Sequence, residues 1–419
     1  MAQVNDMTNL NSYFKNAYAS KIEDLVPDNT YFAKEAQSLP AESQPGGNYT
    51  LPVTLSSEEG VTLASSAAGA FALESPEALT AQTASLAGSQ LLLRSALDYE
   101  TIFRSRNKNA FIRATKAVVE NMIKSAYFYQ EALMMWGKQG LGTIASVSTN
   151  TLVITTAEYA SGLWLGSEGR KLRIQTSGGV LRGTCKIVSY DISARSITVD
   201  AAPAGTAATD VIFFGSAGAS GANEMTGIHK IITNTGTLFG IDAASYNLWK
   251  SAGTFSAGSA PVSFNKILLG IAQGVNKGLG DDVREIDVIV NPVGWQNMAN
   301  DQSAMRQYDA SYKSSEVMTG SEAIQFFCQA GKVNIISHKM MKEGYAWILP
   351  KCSRTIQKVG TNPSPTFELP GMTANGEKQY LRTMENNAGV ETRIYWNCAV
   401  FTPKIHQTVL INNIVNSAS

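Results

Sequence analysis

The chain has 419 residues, enough for two or three hydrophobic cores. Lys+Arg and Asp+Glu are equal at 34 each, and charged residues make up 16%, against ~25% in an average soluble domain. Zero net charge removes the long-range repulsion that keeps a monomer apart from its copies, and suits a subunit built to associate. No apolar run reaches the ~18 residues that a membrane span needs, and no signal peptide opens the chain.

Residues 1–40 read as an arm. Leu10, Tyr13, Phe14 and Tyr18 make one short helical stripe with nothing nearby to bury it, so the arm is expected to lie against another part of the fold or another subunit. Tyr49, Leu51, Val53 and Leu55 then alternate with polar residues as in a strand, and Pro52 marks it as an edge. The following stretch to Leu93 is mostly Ala, Ser, Thr and Gly, too small to assemble its own core. From Glu35 to Leu93 the only charges are six glutamates, Glu35, Glu42, Glu58, Glu59, Glu74 and Glu77. The reading is a long, acidic, two-stranded excursion that leans on something else. Ser95 to Asp98 resembles a capping box, so a helix begins there, or afresh after Ser105 or Asn107.

The stretch from about Asn107 to Trp136 reads as one long amphipathic helix. Phe111, Val118, Met122, Tyr129, Leu133 and Trp136 share a stripe, while Arg113, Lys116, Glu120 and Lys124 fall mostly off it. At ~1.5 Å per residue it is on the order of 45 Å long. After Gly137, Gly140 and Gly142 the texture switches to short strands separated by turns: TIASVS, TLVITT, GLWLG, RKLRIQT, GTCKIVSYD, SITVD and DVIFFG. Such spacing marks a small β-barrel or sandwich over about 142–217, bounded by glycine-rich joints. It is expected to be an inserted module whose core need not include the long helix.

PVSFNKILLGIAQGVNKGLG is expected to be helical, with Gly270, Gly274 and Gly278 forming one smooth edge for close packing. Ile286, Val288 and Val290 alternate in a strand; Asn291 then caps a helix that has Pro292 at its first position. SEAIQFFCQAG reads as a short helix stopped by Gly331, and KVNIISHKMM and EGYAWILP as strands. The stretches after Ala299 and around NPSPTFELPGMTANGE read as loops. VETRIYWNCAV and IHQTVLIN close the chain as two strands around Pro403.

No residue pattern carries catalysis, a cofactor or a metal. His229, His338 and His406 have no Cys, Asp, Glu or His at ligand spacing, and there is no GxSxG, HExxH, P-loop or dinucleotide fingerprint. Cys185, Cys328, Cys352 and Cys398 contain no CxxC pair and sit in apolar settings, as small buried hydrophobes do in a reducing compartment. No basic patch is strong enough for sequence-specific nucleic-acid binding.

The order of parts resembles the major capsid proteins of tailed bacteriophages, the Hong-Kong-97-type fold, over essentially the whole chain. YQEALMMWGKQGLGTI, MTGIHKIITNTGTLFGID, VIVNPVGWQNM and ETRIYWNCAVFTPKIHQTVLI carry the resemblance as an ordered set. It implies an α+β fold: residues 1–40 an N-terminal arm, 41–94 the extended β loop, and 95–141 the peripheral domain with its spine helix. Residues 142–217 would be the inserted all-β domain, 218–254 a peripheral strand and connection, 255–377 the axial domain, and 378–419 the peripheral C-terminal strands. The resemblance further implies hexamers and pentamers of the chain closing into an icosahedral shell around packaged double-stranded DNA. The virion capsid would be assembled in the host bacterial cytoplasm. With Met1 and only a short arm, a separate scaffolding protein is implied, along with a portal and room for a decoration protein. No membrane takes part. The rival readings are an encapsulin-like nanocompartment shell and an enzyme of no recognisable motif.

The charge pattern adds one contact. From Arg94 to Lys124 the balance reverses, with Arg94, Arg104, Arg106, Lys108, Arg113, Lys116 and Lys124 against Asp98, Glu100 and Glu120. Arg104, Arg106 and Lys108 crowd a helix N-terminus, where the macrodipole disfavours cations. The acidic loop of one subunit, through Glu58 and Glu59, is expected to lie over this basic start on a neighbour; packaged DNA and plain solvation are the alternatives.

Overall fold

The computed structural model describes residues 30–38, 48–66, 69–104, 114–215, 223–299, 324–363, 381–384 and 388–416. The spine helix runs over Ala114–Trp136. Its expected start at Asn107, and Phe111 of its stripe, lie outside the described residues. Val118, Met122, Leu133 and Trp136 are buried and Tyr129 half-buried, as the stripe requires. Toward its C-terminus the stripe widens until every residue from Gln130 to Gly137 is buried, because arm, sheets and barrel converge there. Gly137 ends the helix in a space with no room for a side chain: a Cβ would lie 2.1 Å from the Met225 carbonyl oxygen.

Two sheets and a barrel are built around the spine. The 13-residue strand Gly389–Phe401 lies at the heart of a five-stranded sheet. It pairs antiparallel with Ser89–Asp98, Gln357–Gly360 and Leu381–Thr383. Gln37–Ser38 of the arm adds a parallel edge beside Gln357–Gly360. The six-stranded sheet runs in the order Gly253–Ala260, Val409–Ile414, Ala346–Pro350, Glu285–Val290, Gly331–Ser337, Ile324–Cys328. It is a wall between two cores. Ile286, Val288, Ile348, Val409 and Ile411 face one core, with helix Phe264–Val275, while Ile289, Trp347, Leu349 and Leu410 face the core that holds the spine. This is the period-two alternation of a strand buried on both faces.

The six strands Gly142–Ser148, Thr151–Ile154, Lys171–Gln175, Leu181–Asp191, Ser196–Val199 and Val211–Phe214 close into a barrel. Closure removes the free edges that such short strands would otherwise present. Its interior is not separate from the rest: Ile144, Leu152, Ile174, Ile187, Ile197 and Ile212 belong to one continuous core with Met134, Met135 and Trp136 of the spine. The sequence reading held that the module's core need not include the spine; in the fold the two are continuous.

Other elements differ from the sequence reading for definite reasons. GLWLG forms the short helix Ser161–Trp164, not a strand; its apolar run is too short to show a period. Ile324–Cys328 is a strand, not a helix, hairpinned onto Gly331–Ser337, with Gly331 at φ 119° directly after the turn. Ser95–Asp98 ends a strand, and it is Asp98 that caps the helix Tyr99–Arg104, accepting from the Thr101 N–H at 2.6 Å. In 218–254 the expected strand is the helix Ile228–Ile232 followed by a two-residue hairpin. The last strand, Val409–Ile414, grouped from sequence with the peripheral strands, pairs instead inside the six-stranded sheet. Asn291 and Pro292 act as read: the Asn291 side chain accepts from the Val293 N–H at 3.0 Å. Gly270 and Gly274 pack closely, at 2.7 Å from Ile348 and 2.6 Å from Leu279 for an added Cβ, whereas Gly278 is a turn residue at φ +86°. The loops read around residues 300–323 and 364–380 lie outside the described residues.

Candidate assembly surfaces

The extended loop begins as a ribbon of Asn48–Thr54 and Ala81–Ala87. Tyr49, Leu51 and Val53 are half-buried against the main core, while Thr50, Pro52 and Thr54 are exposed, so the alternation seen in the sequence sets the loop's seat. The ribbon is fastened from beneath by the Ser85 N–H donating to the Phe239 carbonyl at 2.8 Å.

Beyond Leu55 the two limbs continue with little support from the body. Glu59 and Glu77 exchange both backbone hydrogen bonds, at 3.0 and 2.7 Å, and the Thr62 hydroxyl accepts from the Glu74 N–H at 2.8 Å. Leu63 and Leu73 follow farther along the two limbs. Both are almost bare, 92% and 81% exposed, and Val61 and Phe71 beside them are exposed too. Scattered exposed apolar residues are ordinary, but a contiguous group on a projecting limb marks a contact surface.

Of the charged residues singled out from sequence, Glu58 and Glu59 are exposed on this loop. Arg104 ends the helix Tyr99–Arg104, but its side chain, and all of Arg106 and Lys108, lie outside the described residues.

The sequence reading missed the residue that seats the arm. Glu131, on the spine, is fully buried. Its carboxylate accepts from the backbone N–H groups of Tyr31, Phe32 and Ala33 at 3.0, 2.7 and 2.7 Å. His338 donates to it through Nε2 at 3.1 Å; that tautomer follows because His338 Nδ1 accepts from the Met340 N–H. Lys358 completes the seat by donating to the Ala33 carbonyl at 2.7 Å. The signal was present: Glu131 is the only charge between Tyr127 and Trp136 in an otherwise uncharged run.

A second buried polar group locks the barrel to the body. Lys342 donates to the Gly140 carbonyl at 3.0 Å, pairs with Glu158 and lies 4.3 Å from the Trp136 ring centre. The Tyr345 hydroxyl donates to Glu158 at 2.6 Å. Burial alone would push the Glu158 carboxyl up, but the charge of Lys342 and hydrogen bonds from Lys342 and Tyr345 hold it below the usual range. Burial pushes the Lys342 ammonium down, against the pull of Glu158. Nearby, Arg195 of the barrel forks onto Glu343, with bonds of 3.0 to 3.3 Å.

All four cysteines are free, and burial pushes Cys185 up to about 11 and Cys398 to about 12, as inert core thiols behave. Among the described residues no group of three or more His, Cys, Asp or Glu is placed to hold a metal, and no helix is long and apolar enough to cross a membrane.

No family model matches the chain, and neither does any curated relative. Among solved structures, it is similar to a chain of the cyanophage A-1(L) capsid at 8% identity and a TM-score of 0.56, over 96% of this chain and 97% of that one. The fold is that of a phage capsid subunit. Weaker likenesses are to the Ralstonia phage GP4 capsid (8% identity, 97% and 96% covered, TM-score 0.48) and to an encapsulin from Synechococcus elongatus (6%, 100% and 99%, 0.46). The likeness covers nearly the whole chain, as the resemblance anticipated.

Proposed function

We propose that the chain is the major capsid protein of a tailed bacteriophage, a structural protein that closes in many copies into an icosahedral shell around packaged double-stranded DNA. The observation that carries this reading is the projecting loop. A capsid-fold chain exposes Val61, Leu63, Phe71 and Leu73 on a limb that its own body leaves uncovered, and a second copy supplies the cover. Balanced charge and sparse charge fit the same role. The chain acts as building material and not as an enzyme. Its partners are its own copies in hexamers and pentamers, a separate scaffolding protein and a portal, with room for a decoration protein. Contact with DNA is non-specific, and the shell assembles in the host cytoplasm before becoming the virion coat. The acidic loop bearing Glu58 and Glu59 lies over the basic start of a neighbour's spine.

The test is nuclease protection. Particles containing this chain, isolated from their native source and treated with DNase, are expected to release genome-length double-stranded DNA after disruption with protease and detergent. Particles loaded with an enzyme and free of protected DNA would assign the chain to an encapsulin-like compartment instead.

A further inference from the structure

Residues 338–345 carry the chain from the strand Gly331–Ser337 to the strand Ala346–Pro350. These strands are not neighbours. Glu285–Val290 lies between them, so the segment crosses over its end, where the Asn291 side chain donates to the Met341 carbonyl at 2.6 Å. The crossing closes two turns of its own: the Met341 N–H donates to the His338 carbonyl at 3.0 Å, and the Tyr345 N–H to the Lys342 carbonyl at 3.2 Å. Its other polar groups reach outward, to three different parts of the molecule.

The first is the arm. His338 donates to Glu131, whose carboxylate holds the N–H groups of Tyr31, Phe32 and Ala33. The Phe32 ring is buried beside it, with centres 6.0 Å from the His338 ring and 6.1 Å from the Trp347 ring. The second is the spine, whose Trp136 indole N–H donates to the Met340 carbonyl at 2.8 Å. The third is the barrel, through the connection between Thr151–Ile154 and Lys171–Gln175. Here the Gly162 N–H donates to the Lys339 carbonyl at 3.0 Å, and the Glu343 and Gly344 N–H groups donate to the Tyr159 and Ala157 carbonyls, both at 2.9 Å. Lys342 on Glu158 and Arg195 on Glu343 add side chains to the same dock. The dock has no slack: a Cβ on Gly162 would lie 2.7 Å from the Lys339 carbonyl carbon, and one on Gly344 2.6 Å from the Ala157 Cβ. Packing this close passes a displacement on and does not absorb it.

We infer that residues 338–345 couple the arm seat to the barrel dock, so that lifting the arm off Glu131 loosens the barrel against the body. In the seated state His338 is held between the Glu131 carboxylate and the Met340 N–H, and the barrel is bonded to Lys339, Lys342, Glu343 and Gly344. In the lifted state the arm side of His338 and Glu131 loses its cover. The turn that begins at His338 is then free to shift, and the barrel's partners directly after it shift too. The coupling is reciprocal, because linkage requires that undocking the barrel loosen the arm by the same factor. A partner that takes the arm is thereby felt at the barrel. The inference goes beyond the shell reading and is tested on the single subunit.

The test is hydrogen exchange of unassembled subunits, followed by mass spectrometry. The arm is lifted in two independent ways: Glu131→Ala removes the seat, and Phe32→Ala removes the arm's buried anchor while leaving Glu131 with His338. Both are expected to expose the amides of residues 31–36 and to speed exchange in residues 157–164 and 339–345 by at least about fivefold. Thr151–Ile154 and Ser196–Val199 inside the barrel, and Glu285–Val290 in the body, should keep the parent rate. With His338→Ala in place, adding Phe32→Ala should bring no further gain at the dock; a gain as large as in the parent would place the coupling elsewhere and overturn the inference. A lifted arm with parent exchange at the dock would overturn it as well. So would an equal rise in every segment, which is loss of global stability, and so would an arm that stays protected in both variants, which removes the seat.

Discussion

Glu131 and Met122 sit on one helix and fail in different ways when changed. Met122 is buried in the spine stripe, worth ~1.5–3 kcal/mol of burial. Met122→Asp places an unpaired carboxylate there, at a cost of several kcal/mol, and is expected to give insoluble subunit; recovery of well-folded soluble protein would mean that the stripe faces water. Glu131→Ala leaves three arm N–H groups without an acceptor, at ~1–3 kcal/mol each where burial persists. The arm should detach while the body stays folded, seen as faster proteolysis of Thr30–Ser38 with an unchanged core fragment. Cleavage at the parent rate would contradict the latch. Two titrating groups set opposite limbs of the pH profile. His229 is held neutral, chiefly by burial and then by Lys342, with its pKa lowered to about 3. Its contribution is intact above the ordinary histidine range and is lost as pH falls from about 6.5 toward 3, since the unfolded chain takes up the proton first. Glu224, raised by burial to about 7, works the other way: stability is full below about 4.5 and falls as pH rises toward 7. Glu224→Gln should therefore raise the melting temperature at pH 8 and leave it unchanged at pH 4.5. An equal shift at both would remove the titration from the explanation.

Elements were legible where periodicity and punctuation agreed. The strand Glu285–Val290 with its Asn291–Pro292 helix start, the loop alternation at Tyr49, Leu51 and Val53, and the glycine-bounded run of barrel strands all declared themselves. Short apolar segments did not: GLWLG and IQFFC are too short for periodicity to tell helix from strand, so neighbours in the fold decided. The place of Val409–Ile414 was not legible either, because alternation reports a buried strand and not which sheet takes it. Nor was the junction of barrel and body, which depends on Glu158 meeting Lys342 and Arg195 meeting Glu343 across long sequence separations. That junction shapes the behaviour of the barrel alone. Residues 143–216, expressed by themselves, are expected to fold into a β-rich domain that melts cooperatively, since the barrel closes on its own strands. It should melt at a lower temperature than the whole chain, having lost the partners of Glu158 and Arg195. A random-coil circular dichroism spectrum would show that the body is required for closure.

The whole molecule is a body that finishes its own core and a loop that finishes nothing. Each exposed ion pair contributes only ~0.2–1 kcal/mol, but a shell repeats it at every contact, so charge reversal should act on assembly and not on folding. Glu58→Lys with Glu59→Lys is expected to leave the subunit's melting temperature unchanged and to impair assembly, with partial rescue by Arg104→Glu plus Arg106→Glu. Normal assembly of the first pair across a range of salt would rule the contact out. Cys185, Cys352 and Cys398 are free and buried and Cys328 is free and half-buried, so particles are expected to show no reductant-sensitive ladder. The most direct measurement is electron microscopy of the purified chain, expressed alone and together with the genes that flank it. Closed, megadalton icosahedral shells under at least one of these conditions are the predicted result. A single small, discrete oligomer under both, with the loop tips still exposed, would contradict the account.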